Sequence, residues 1–120
     1  MRPLMFVRLY ALKSLWTATG CRSAGRALVK ALGSTDEGER TVAGMLLVQG
    51  GKRAVPLVAE AIRRREHLPI VLLIAGDIGA SSLESDLRRL TTDPDPDIAR
   101  AAHDALEILA HSGKRPAPDD

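Results

Sequence analysis

Residues 93–109 read Asp93-Pro-Asp-Pro-Asp-Ile-Ala-Arg-Ala-Ala-His-Asp-Ala-Leu-Glu-Ile-Leu109. An Asp- and Pro-rich turn runs directly into a stretch in which Ile98, Ala102, Ala105 and Leu109 recur three or four positions apart. That is the spacing of one buried helical face. Weaker copies of the pattern lie upstream, so three helix pairs are predicted: 24–32 with 36–49, 54–65 with 68–78, and 82–91 with 95–110. The copies superpose at offsets of roughly 28–31 residues. Leu32, Ile62 and Leu90 end the first helices, while Val42, Ile70 and Ala101 take equivalent places in the second ones. Repeated helix pairs stack on one another because one pair alone cannot bury its apolar face. The expected fold is therefore all-α, a short right-handed α-solenoid of about three helix pairs preceded by an N-terminal helix.

Local signals set the boundaries. Ser34 or Thr35 is expected to cap the second helix of the first pair. Val55-Pro56 and Leu68-Pro69 place proline in a first turn, where its missing N–H would have no partner. Gly51 and Gly79 close the first two pairs. The chain has 120 residues, 45% hydrophobic and 2% aromatic, so its core must be built from Leu, Ile, Val and Ala. A lone cysteine, Cys21, excludes an internal disulfide and fits a reducing, cytoplasmic compartment. Three parts are expected: an N-terminal capping or docking helix over 1–20, the repeats over 21–110, and a disordered tail over 111–120. Met1 and the polar tail are what a complete small protein would show.

The repeats resemble the HEAT-repeat family, especially the short bacterial HEAT-like repeats of phycobilisome-lyase relatives. That family's pattern is an apolar first helix, then Asp-Pro-x-Val-Arg, Ala-Ala and Ala-Leu-Gly. Asp95-Pro96-Asp97-Ile98, Ala101-Ala102 and Ala105-Leu106 match it, with Arg100 one place later than the usual Arg. Asp36 with Arg40, and Arg53-Ala54-Val55-Pro56, also look like it; Arg64-Arg65-Glu66-His67 departs from it. The resemblance implies a binding surface lined by second helices, where Arg40, Arg100, His103, Asp104 and Glu107 fall. It implies no cofactor, since the di-iron members carry His-Glu dyads and no such pair occurs here.

Rival chemistry is thin. His67, His103 and His111 are scattered, so no metal site is expected. Asp93, Asp95 and Asp97 alternate as in a calcium loop, but Ile98 and Asp104 stand where that loop needs Gly and Glu. Residues 70–79 alone could be a buried strand leading to a glycine turn, yet only Gly76 and Gly79 of a three-glycine fingerprint are present. No nucleophile–base pair can be read, so no enzymatic activity and no catalytic residue is expected.

Charge divides the chain. Residues 1–65 hold twelve Lys/Arg against four acids, and residues 66–120 hold five against eleven. The expected function is a non-catalytic protein-interaction module, a scaffold or adaptor. Phe6, Tyr10 and Trp16 would be apolar anchors, and Arg63, Arg64 and Arg65 would steer an acidic partner protein. Two alternatives stand beside it: nucleic-acid binding through the Arg63–Arg65 patch, and head-to-tail self-association through the opposite charges. The N-terminal segment is too short to span a bilayer and Arg8 and Lys13 interrupt it, so no stable membrane insertion is expected.

Overall fold

A computed structural model describes residues 3–114. Their regular secondary structure is all helical, without a strand among the described residues. Helix α1 spans Pro3–Thr19, α2 Arg22–Ala31, α3 Glu37–Gly50, α4 Val55–Arg64, α5 Leu68–Ile78, α6 Glu84–Leu90 and α7 Pro96–Lys114. Short 3-10 turns at Gly51–Ala54 and Ser81–Leu83 lead into α4 and α6. Residues 70–79 thus lie in a helix and its cap, which removes the buried-strand alternative. No helix among the described residues is long and apolar enough to cross a membrane.

The punctuation works largely as the sequence dictates. Gly51 and Gly79 both take positive φ, 57° and 76°, at the ends of α3 and α5, where a side chain would be strained. Asp36, rather than Ser34 or Thr35, caps α3: its Oδ1 accepts the Glu39 amide at 3.0 Å. Ser34 Oγ instead accepts the Asp36 amide at 3.1 Å, setting the turn that presents the cap. Asp93 and Asp95 act in series at the other end, accepting the Asp95 and Asp97 amides at 3.0 and 2.9 Å. Alternate carboxylates followed by prolines build a helix start here, because each acid satisfies an amide that the helix leaves free. Helix α7 runs to Lys114, past the boundary expected at 110. Residues 115–120 of the expected disordered tail lie outside the described residues.

Each helix packs on its successor or near-successor. Helix α1 lies on α2 and α3, α2 on α3 and α4, α3 on α5, α4 on α5, α5 on α7 and α6 on α7. Helix α5 is the centre: Leu68, Val71, Leu72, Ile74, Ala75 and Gly76 are all buried. Its partner α7 comes so close that a Cβ on Gly76 would stand 2.9 Å from the Ala105 carbonyl oxygen and 3.1 Å from the Ala105 Cα. At the other end, Trp16 is 4% exposed. Its ring is wedged against the backbone of Gly25 in α2 and Gly50 in α3, both of which leave the space that a Cβ would fill.

These contacts separate two kinds of helical glycine. Gly76→Ala forces backbone against backbone and should lower unfolding free energy by about 1–3 kcal/mol. Gly44→Ala meets only Leu32 and Ile74 side chains at 3.8 and 3.9 Å, ordinary contact distances. That variant should gain up to about 1 kcal/mol from helix propensity alone. Urea denaturation of the two variants beside wild type checks the opposite signs.

Candidate functional site

Two of the concave surfaces bear on function, and they lie on different helices. The first is a groove of about 550 Å³ between α3 and α5. Met45, Val48, Ile70, Leu73 and Ile74 form its floor and walls, and Glu37, Arg40 and Asp77 stand at its rim. Met45 and Leu73 remain 46% and 39% exposed, unusual for large apolar side chains on helices that otherwise bury their apolar faces. Arg40 is held by its Nη1 donating to the Ser34 carbonyl at 2.7 Å, which fixes the guanidinium near the start of α3.

The second is a cleft of about 490 Å³ between the first turn of α2 and helix α4. Arg22, Ser23, Arg26, Arg53, Glu60 and Arg63 line it. Glu60 is engaged twice, by Arg26 at 2.7 Å and by Arg64 at 3.7 Å.

The basic run 63–65 is therefore not one patch. Arg63 lines the cleft. Arg64 pairs with Glu60 one turn back on α4. Arg65 leaves the helix in a left-handed conformation, φ 57°, and donates from Nη2 to Asp93 at 3.0 Å across to the turn before α7. His67, two residues on, is also left-handed at φ 48°, and its imidazole lies against Gly33 in the α2–α3 turn. Two non-glycine residues at positive φ in one loop store strain; the Asp93 ion pair and the Gly33 contact hold them there.

The three aromatic anchors part company as well. Trp16 is core and cannot serve as a surface anchor without leaving its slot between the glycines. Phe6 is half-buried and packs against the core. Tyr10 is 50% exposed, on an outer α1 face with Val7 and Leu15. That face was hidden in the sequence because α1 is apolar around most of its axis, which gives no period to read.

Helix α7 carries the remaining expected residues. Arg100, His103, Asp104 and Glu107 are all exposed, and none of them lines the α3–α5 groove. His103, Asp104 and Glu107 do come together, each with one ligand-capable atom within 4.8 Å of the others. A nitrogen and two carboxylate oxygens can take a divalent cation in principle. Their full exposure leaves the imidazole without the buried partner that orients it in a built metal centre.

The Asp93 carboxyl lies below its ordinary value of 3.8 because it accepts the Asp95 amide; partial burial opposes the shift, and the Arg65 hydrogen bond and charge add to it. A carboxyl depressed in the folded state stabilises the fold above its unfolded value and loses that contribution as pH falls through the folded one. Asp93→Asn should accordingly melt below wild type at neutral pH, and the gap should narrow at a pH below the ordinary carboxyl value of 3.8. Thermal melts at the two pH values check this. Comparison with known proteins gives no match to a family model, a curated protein or a solved structure.

Proposed function

We propose that the chain is a small HEAT-like α-solenoid that works as a non-catalytic protein-interaction module, with the α3–α5 groove as its docking surface. The repeat reading is supported by the packing order, in which α2–α3, α4–α5 and α6–α7 pair and each pair touches the next. Polar ties between equivalent segments support it too: Arg26 reaches Glu60 across 34 residues and Arg65 reaches Asp93 across 28. The second separation falls within the repeat offset in the sequence, and the first lies just beyond it.

One observation carries the functional reading. Met45 and Leu73 stand exposed on either side of a groove between two second helices, with acidic and basic side chains at its rim. An apolar floor with a charged rim is the form that accepts an amphipathic helix from a partner, read at turn spacing. The groove is built on helices that are packed behind it, so little ordering cost falls on association. Tyr10 and its neighbours on α1 are a second exposed apolar face but line no groove.

A photo-reactive amino acid placed at Met45 or Leu73, with Ser85 on α6 as control, tests the proposal in cells that express the full chain. A discrete protein adduct from positions 45 and 73, resistant to nuclease and absent from 85, is expected. Leu73→Asp should weaken capture at position 45 by about tenfold or more, the scale of losing one interface anchor. Adducts that vanish with nuclease, or that form equally from position 85, would overturn the groove as a protein-docking site.

A further inference from the structure

We propose that the cleft between α2 and α4 is a binding site for a compact phosphorylated anion, of the size and charge of a diphosphate group. Arg22, Arg53 and Arg63 line it, and none of the three has a carboxylate within salt-bridge distance among the described residues. Five other arginines have a carboxylate partner, whereas Arg8, Arg40 and Arg100 have none among the described residues, so it is the gathering of three at one concavity that marks the cleft. Arg26 and Arg64 share Glu60, Arg65 takes Asp93, Arg88 takes Glu84 at 2.6 Å and Arg89 takes Asp86 at 2.5 Å. Three unneutralised guanidiniums gathered around one concavity focus a positive potential that a flat surface would spread. Their planar forks suit phosphoryl oxygens, which accept two parallel N–H bonds from each.

The backbone adds to this field. Helix α2 begins at the cleft, its N-cap Cys21 gives no side-chain hydrogen bond, and its first turn contains no acid. That turn carries Arg22 instead, which opposes the helix dipole. An anion seated there would satisfy the dipole, the free amides and the guanidinium together.

The ligand is compact because the unpaired charge is confined. The neighbouring concavity around Lys30 also holds Glu60, Glu66 and His67, so the basic tract does not continue unopposed along α2 and α4. Trp16 reaches the wall of the cleft, but it is 4% exposed and held between Gly25 and Gly50, so it offers no ring face on which a base could stack. Three free positive charges match the charge of a diphosphate near neutral pH. The inference does not depend on the α3–α5 groove, which lies on other helices.

Titration calorimetry of the full chain with inorganic pyrophosphate at low ionic strength is the test. Saturable binding of one pyrophosphate per chain is expected. Arg53→Ala and Arg63→Ala should each weaken it by about tenfold, the loss of one charge-assisted contact. Arg100→Ala, an exposed arginine on α7, should leave it unchanged. Glu60→Gln should tighten binding several-fold, because it frees Arg26 and removes the only carboxylate in the cleft; a merely structural role for Glu60 would not do this. Circular dichroism confirms that the variants, all at exposed or half-buried positions, remain folded. ADP distinguishes the source of the group: equal or tighter binding assigns a nucleotide-borne diphosphate, and weaker binding a free one. Absence of saturable pyrophosphate binding, an equal loss in Arg100→Ala, or tight binding of a 20-base-pair duplex that pyrophosphate does not compete would overturn the proposal.

Discussion

Helix α5 carries one charged side chain, Asp77, in eleven residues, so water must be kept from almost its whole circumference. No single neighbour can do that. Helix α3 covers one side, α4 another and α7 a third, and α7 can approach only because residue 76 has no Cβ. Burial of apolar surface is worth roughly 25 cal/mol per Å², so covering α5 from three sides ties the middle of the chain together. The rest of the architecture follows from it. Helices α4 and α5 meet through a strained loop because Arg65 and His67 must reverse the chain quickly enough to bring α5 under α4. The cover is also incomplete on one side, and there Leu73 and Ile70 become the wall of the α3–α5 groove.

Much of this was legible in the sequence, and the reason is local. Pro56 and Pro69 mark helix starts, Gly51 and Gly79 mark helix ends, and the residues between them recur at helical spacing. Such signals act over a few residues and survive without knowledge of the fold. Two things were not legible. The slot that receives Trp16 is made by Gly25 and Gly50, which lie in different helices and look unremarkable beside other small residues. The dispersal of Arg63, Arg64 and Arg65 depends on where α4 ends: helical turns point the first two in different directions and the left-handed Arg65 sends the third across the molecule. A run that reads as one patch in sequence is thus split into two ion pairs and one arginine at a cleft, where Arg22 and Arg53, far away in sequence, join Arg63.

The two concavities belong to different rows of helices. The apolar groove is made by α3 and α5, and the arginine cleft by α2 and α4. Helix α3 packs on α5 and α2 on α4, and each couple leaves one side open to solvent. Packing constrains the buried sides tightly, whereas the outer residues can vary in charge at little cost. The acids described in the second half fit this freedom: Asp93 and Asp95 build the start of α7, Glu84 and Asp86 pair with arginines, Asp104 and Glu107 stand exposed on α7, and no charged residue is buried among the described residues.

The seat of Trp16 has a consequence for observing the molecule. It is the only tryptophan in the chain, and its indole sits in a dry slot shared by α1, α2 and α3. Its emission is thus a private optical signal from the junction of three helices. A red shift that precedes loss of helical dichroism would report α1 peeling away while the remaining helices stay stacked; coincident changes would show that the first helix and the body melt as one cooperative unit.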